Sequence, residues 1–278
     1  MRILVVGGTG FVGNAFVKQL RKHGFEVDGT YSTKSVIGFY PLNLIDLNWE
    51  INFSLYTHCI IAGGVSGRAV NDNLAEAYKI NVQGTQRLIS QLKKFGIHIC
   101  FISSSSVFAL SQQHSFENDS PNPKTYYGKQ KRIIETILQN EIHLNYLIIR
   151  PTKVLSNESS LIRKWTDPSK KVFFEANRLV TLAPISTRFL VETVIKCFDQ
   201  EFRGVLHVSN KKEYSYDEFA EKLISLYHQS NVSKNYYASG EEVADSATIL
   251  RSRIRLKNGM KTIQDPSEFW VDIGPAYK

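Results

Sequence analysis

With 278 residues the chain exceeds the commonest single-domain size of roughly 100–150 residues, so one large domain with its own core and a smaller lobe is the natural expectation. An apolar fraction of 42% against 22% charged residues is ordinary for a globular protein, and no stretch reaches the roughly 18 consecutive apolar residues of a membrane span, which argues against a membrane partner. The net charge of +8 would suit an acidic partner, but the basic residues are scattered and KHGFEV, QLKKFGI and PSKKVFF place their lysines at helix ends or turns, so no nucleic-acid partner is expected.

The first segment, RILVV (2 to 6), is a β-branched apolar run ended by glycines, which reads as a parallel strand buried on both faces. Glycines interrupt the apolar start and no small-residue cleavage site follows, so a strand is expected rather than a leader, and a cytoplasmic location with it. In FVGNAFVKQLRKHG, Phe11, Val12, Ala15, Phe16 and Leu20 recur at helical spacing until Gly24. FEVDGTY supplies a second strand and completes a βαβ unit. Then come a strand over 56–62, a long helix over 74–96, a strand over 97–104, a helix over 124–141 and a strand over 143–150. Such alternation predicts an α/β fold of the Rossmann type, a doubly wound parallel sheet with helices on both faces.

The dinucleotide-binding domain is expected to span 1–155, with segments near 180–210 returning to it. Residues 156–278 would form a small α/β substrate lobe over the carboxyl ends of the strands, built from LIRKW, NRLVTLAP, STRFLVETVIKCFDQ, GVLHVSN and SYDEFAEKLISLYHQ. Cys59, Cys100 and Cys197 are odd in number and far apart, which fits reduced core thiols. There is no CxxC pair and no HExxH, so no metal is expected.

Gly7, Gly8, Thr9, Gly10, Phe11, Val12 and Gly13 lie between the first strand and helix. Bare backbone there permits a tight turn and lets a pyrophosphate approach the helix N-terminus, whose free N–H groups attract anions. A lone glycine pattern is weak; opening a βαβ unit makes it a dinucleotide site. An acidic residue ending the second strand would bind ribose hydroxyls. That place falls to Tyr31, followed by Ser32, Thr33 and Lys34, while Asp28 comes too early, which tips the cofactor toward NADP with NAD as the alternative.

Tyr127 and Lys131 stand i, i+4 on one helix face. A phenol, with an ordinary pKa of about 10, works as an acid/base near neutrality only if a cation stabilises its phenolate, and Lys131 offers one. Tyr126 is the rival, but Gln130 stands one turn after it. Ser103 to Ser106 follow a strand at the carboxyl edge, where a hydroxyl would polarise a carbonyl; the plainer reading is a serine-rich turn or cap.

Together these segments resemble the extended short-chain dehydrogenase/reductase family of nucleotide-sugar epimerases, dehydratases and reductases. GGTGFVG is similar to its glycine loop, INVQGTQRLISQLKKFGI to NVxGTxxLLxAAxxxGV, SSSSVF to SSxxVYG, YGKQKRIIE to YGxSKxxxE and LIIRPTKVL to LRPxxVYG. The resemblance implies Ser104 as the carbonyl-binding hydroxyl, Tyr127 as acid/base, and Lys131 as the group that lowers its pKa and holds the nicotinamide ribose. It also implies cofactor contacts at Asn43, Leu44, Ala62, Gly63 and Pro151, with Asn81 as a polar kink in the long helix, and a homodimer through the two long helices.

Within the family, dehydratases carry an acidic pair just after the catalytic hydroxyl. Here Ser105 and Ser106 stand there, with no acid until Glu117. The short length and LAPISTRFLVETV resemble the dTDP-4-dehydrorhamnose reductase branch, which implies reduction of a 4-keto nucleotide sugar. A 4-epimerase with tightly held NAD and a non-catalytic NADP sensor are the alternatives. Arg163, Lys164, Lys170, Lys171, Arg178 and Arg188 are candidates for the substrate diphosphate.

Overall fold

A computed structural model describes residues 1–109, 114–141, 145–166, 172–177, 181–227, 232–237, 250–252 and 262–275. The chain divides into two compact units. One comprises residues 1–109, 119–150 and 191–206, the other residues 110–118, 151–190 and 207–278.

In chain order the elements begin with β1 (Arg2–Val6), α1 (Phe11–Lys22), β2 (Glu26–Tyr31), β3 (Phe39–Pro41), β4 (His58–Ile61), α2 (Arg68–Asp72) and α3 (Leu74–Tyr78). They continue with α4 (Thr85–Lys94), β5 (His98–Ile102), α5 (Tyr126–Asn140), β6 (Tyr146–Pro151), β7 (Val154–Leu155), α6 (Ser160–Thr166) and β8 (Val172–Asn177). The remainder is β9 (Thr181–Leu182), β10 (Ile185–Ser186), α7 (Thr187–Asp199), β11 (Gly204–Asn210), β12 (Tyr214–Ser215), α8 (Tyr216–Leu226), β13 (Val232–Tyr237), β14 (Ile263–Gln264) and α9 (Pro266–Ile273).

The main sheet has eight strands in the order β14-β11-β6-β5-β4-β1-β2-β3. The pairings β1 with β2 and β4, β2 with β3, β4 with β5, β5 with β6 and β11 with β14 are all parallel. This is the doubly wound α/β architecture expected from the alternation of strands and helices, and the run RILVV earns its buried place with Ile3, Leu4 and Val5 fully shielded. The first unit's core gathers Leu4, Val6, Ile61, Leu92, Phe101 and Ile134 between sheet and helices. Cys59, Cys100 and Cys197 are free and buried, as the cysteine spacing implied. Among the described residues no helix is long and apolar enough to cross a membrane.

Three local findings differ from the sequence reading. The buried face of α1 is Gly13, Phe16, Val17 and Leu20, while Phe11 at its start is 42% exposed. The helix expected over 74–96 is broken by a π-helical segment, Lys79–Gly84, that separates α3 from α4. Gly84 ends that segment where a Cβ would stand 2.2 Å from the Leu44 carbonyl oxygen, so the helix can lie on the 42–46 turn only with glycine there. The second unit also has a C-terminal helix, α9, not read from the sequence. Asp265 caps it, accepting from Ser267 N, with Pro266 in its first turn. It delivers Phe269, Trp270 and Ile273 to a core shared with Leu155, Ile162, Tyr214, Phe219 and Leu223.

Candidate active site

The loops that follow β1, β4 and β5 leave the carboxyl ends of neighbouring parallel strands, so the glycine loop, Ala62–Gly63 and the serine turn share one edge of the sheet. Gly7 has φ +78°, and a Cβ on it would come within 2.4 Å of Gly63 Cα, so the two turns touch backbone to backbone. Gly7 N donates to Thr30 Oγ1 of β2 at 3.1 Å, and Gly10 N to Gly7 O at 2.9 Å. Gly13 leaves no space for a Cβ, which would meet Gly7 O at 2.1 Å. Gly10 caps α1 without a side-chain hydrogen bond, and Thr9, Gly10 and Phe11 are exposed beside it; Val12 is half-buried. A cradle of bare backbone before a helix N-terminus suits a pyrophosphate.

Tyr31 ends β2, with Ser32, Thr33 and Lys34 exposed beyond it. Asp28 lies inside the strand with its carboxylate engaged: Arg2 Nη2 and Nε donate to Oδ2 at 2.9 and 3.2 Å, and Tyr56 OH donates at 2.9 Å. Asn43 serves its own turn, accepting from Ile45 N and, through its carbonyl, from Trp49 Nε1. Leu44 is buried, and its carbonyl accepts from Arg87. Pro151, the last residue of β6, is buried.

Asn81 sits in the π segment, a helix irregularity often found at functional sites. Its amide accepts from Val65 N at 2.8 Å and donates to Val65 O at 2.9 Å and to Gln130 Oε1 at 2.8 Å. The expected polar kink is therefore a tie between the loop after β4 and α5.

Helix α5 starts at Tyr126 behind Thr125, whose hydroxyl accepts from Gly128 N. Tyr126 is 53% exposed and has Lys129 over its ring, whereas Tyr127 is half-buried. Lys131 is buried; its Nζ donates to Ile102 O at 2.8 Å and lies 5.6 Å from the centre of the Tyr127 ring and 4.6 Å from that of Phe101. Burial pushes the Tyr127 phenol up to about 12 and Lys131 down to about 8, with Glu135 partly opposing the latter. In the chain by itself, burial alone thus makes the tyrosine hold its proton more firmly than a free phenol does.

Ser104 is half-buried and begins a short 3-10 turn, Ser105–Val107, accepting from Ser106 N and donating to Ser106 Oγ, both at 3.1 Å. The capping role and the proposed catalytic one thus fall on one hydroxyl. Helix α5 packs directly on that turn: a Cβ on Gly128 would lie 2.0 Å from Ser106 O. Glu117, the first acid after the serines, is engaged, accepting from His207 N at 3.2 Å and from Ser252 Oγ.

Of the basic candidates for a diphosphate, Arg163 is exposed and Arg188 Nη1 lies 3.5 Å from Asp272 Oδ1. Lys170, Lys171, Arg178 and the side chain of Lys164 lie outside the described residues. Ser103, Glu135 and Arg150 lie inside the motifs that carry the family resemblance, which gives them no role of their own; they form a buried ionic knot under the serine turn. Its signal was present: Glu135 continues the i, i+4 row of Tyr127 and Lys131, and Arg150 interrupts an apolar strand.

The family model described as RmlD substrate binding domain matches residues 1–267. The spore coat polysaccharide biosynthesis protein SpsK of Bacillus subtilis (strain 168) is 28% identical over 231 residues, which cover 80% of this chain and 78% of that protein. Among solved structures, a hypothetical dTDP-4-dehydrorhamnose reductase from Sulfolobus tokodaii aligns with a TM-score of 0.74 at 25% identity, over 86% of this chain and 88% of that one. A dTDP-4-dehydrorhamnose reductase from Bacillus anthracis str. Ames in complex with NADP aligns with a TM-score of 0.74 at 19% identity, over 90% and 89%.

Proposed function

The chain belongs to the RmlD substrate binding domain family, and we propose that within it the protein is an NAD(P)H-dependent reductase of a 4-keto group on a nucleotide-linked deoxysugar. Membership makes it an NAD(P)-dependent oxidoreductase of the extended short-chain type. The observation that carries the finer reading is the contact of Gly128 with the Ser106 carbonyl, which puts the helix of Tyr127 and Lys131 directly on the turn of Ser104.

When bound, the dinucleotide supplies the hydride. Ser104 Oγ donates to the substrate carbonyl oxygen and polarises it, and Tyr127 gives that oxygen its proton. A phenol held at about 12 carries its proton at neutral pH, as a donor must, and the Lys131 ammonium favours the phenolate left behind. Elimination of water is disfavoured: Ser105 and Ser106 are not acids, and Glu117 is already bonded to His207 N and Ser252.

NADP is the favoured cofactor, with NAD the alternative. Asp28 is engaged by Arg2 and Tyr56, and Tyr31 at the end of β2 with Ser32 and Lys34 just beyond it suit a 2′-phosphate. A cytoplasmic homodimer through the long helices bearing Asn81 and Tyr127 belongs to the same reading, and sedimentation tests the dimer.

The test is to mix the protein with NADPH or NADH and a panel of 4-keto-6-deoxy nucleotide sugars, follow nicotinamide absorbance and identify the product. Stoichiometric oxidation with a reduced sugar is expected. Copurified NAD with interconverted sugars and no net oxidation would identify an epimerase instead. Tyr127→Phe separates enzyme from sensor: it should abolish turnover while leaving dinucleotide binding intact.

A further inference from the structure

The loop that leaves β4 is tied down by one side chain. Asn81 Oδ1 accepts from Val65 N at 2.8 Å and its Nδ2 donates to Val65 O at 2.9 Å, so a single amide serves both backbone groups of that residue. The loop comes flush against it: at Gly64, φ +138°, a Cβ would stand 2.6 Å from Asn81 Oδ1. One residue earlier the same loop meets the glycine loop, Gly63 against Gly7. Asn81 Nδ2 also donates to Gln130 Oε1 at 2.8 Å, and both side chains are buried. Because Val65 fixes which end of the Asn81 amide faces which way, the atom that meets Nδ2 from α5 must be an acceptor. Gln130 stands directly before Lys131, at the place where the YGxSK pattern carries serine. A hydroxyl at the same Cα would fall short of Asn81 by the length of the missing carboxamide arm.

We propose, resting on the reductase reading above, that Gln130 is a positioning residue: through Asn81 it holds the loop after β4 against α5, so that the dinucleotide seat and the proton donor Tyr127 share one frame. Two residues before it, Gly128 sets the same stretch of α5 on Ser106 O. The start of the helix is thus bound to the serine turn by contact and to the loop after β4 by hydrogen bonds. Without the Gln130 acceptor, a buried Nδ2 hydrogen of Asn81 loses its partner, and the penalty of leaving it unmet is relieved only by turning the amide. Turning it breaks the bonds to Val65.

The experiment removes the acceptor at nearly constant volume with Gln130→Met. Hydrogen exchange of the Val65 amide, followed by NMR in 15N-labelled protein without dinucleotide, should quicken about tenfold or more. The Kd for NADPH should rise about fivefold. Gln130→Glu offers an acceptor oxygen in either protonation state and should keep Val65 protected to within about threefold of the wild type. In an Asn81→Ala background, where the tie is already cut, Gln130→Met should change the Kd by less than about twofold. An equal effect in both backgrounds, or an unaltered Val65 exchange rate in folded Gln130→Met, overturns the proposal. If Gln130→Met does not fold, Gln130→Ser loses the same bond and carries the same measurements. The exchange readout needs neither dinucleotide nor sugar, so a wild type that reduces no keto sugar refutes the reductase reading and leaves the tie standing. With an active wild type, kcat of Gln130→Met at saturating NADPH should fall about tenfold, and an undiminished kcat overturns the positioning role.

Discussion

The carbonyl oxygen of Ser106 lies 2.0 Å from the point where a Cβ on Gly128 would stand. Both partners are backbone, so no side-chain rotation relieves the clash, and Pro123 Cβ at 3.1 Å closes the other side. Gly128→Ala must therefore lift the first turn of α5 away from the serine turn, and Tyr127 moves with it. A misplacement of about 1 Å at the reacting groups costs roughly 100-fold in rate. The expected result is a kcat lowered about that much, a dinucleotide KM changed little, and a stability loss of about 1–3 kcal/mol. Steady-state kinetics with thermal unfolding would show it; a folded variant with unchanged kcat would mean that this contact does not hold the tyrosine.

Gly7 stands to the proposed dinucleotide site as Gly128 stands to the proposed catalytic one. Its φ of +78° is strained for any residue with a side chain, and the Cβ would collide with Gly63 at 2.4 Å. Gly7→Ala should push apart the loops after β1 and β4 and weaken dinucleotide binding at least tenfold, about 1.4 kcal/mol or more, while leaving Tyr127 and Lys131 where they are. Enhancement of NADPH fluorescence on titration measures it. Full affinity would mean that the pyrophosphate does not sit on this loop.

At the end of β2, Lys34 is exposed and Asp28 is tied to Arg2 and Tyr56. If the exposed cation meets a 2′-phosphate, Lys34→Glu should raise the Kd for NADPH about tenfold or more and leave that for NADH within about twofold, because only the phosphorylated cofactor carries the extra charge. Equal effects on both cofactors would point to a general loss of the loop.

Most of the first unit was legible because parallel strands buried on both faces are written as apolar β-branched runs, such as RILVV and HICFI, and glycines mark the turns between them. The row of Tyr127 and Lys131 was legible for the same reason: helical spacing is visible. What escaped depended on contacts between distant residues. The π segment leaves the apolar spacing of the helix nearly unaltered, and its reason, Asn81 reaching Val65 and Gln130, is tertiary. Glu135 looks like a solvated helix glutamate until Arg150 is folded against it. The short β3, Phe39–Pro41, is three residues ended by a proline, too brief to show a period. Helix α9 did announce itself through Asp265 and Pro266, but its eight residues are half apolar on several sides.

The far ends of the strands carry a separate liability. His58 and His98 face each other in register at the starts of β4 and β5, with ring centres 5.0 Å apart and Phe198 packed on both at 4.6 and 5.6 Å. His58 Nδ1 pairs with Thr57 Oγ1 at 2.9 Å, while the buried Nε2 of His98 finds no partner among the described residues. Burial is the main reason that both imidazoles are held down at about 4, helped by His98 for His58 and by Arg203 for His98. The unfolded chain takes up these protons at the ordinary value of 6.5 and the folded chain only near 4. Their contribution to stability is therefore complete above about pH 6.5, drains away as pH falls toward 4, and changes no further below that. Allowing for partial exposure, the two together should cost on the order of 2–4 kcal/mol between pH 7.5 and pH 4.5. For a chain of this size that is a fall in Tm of roughly 5–15 °C. His58→Gln with His98→Phe should flatten this stretch of the curve in calorimetry, and a double variant that loses as much stability as the wild type over the same range would assign the acid lability to other groups.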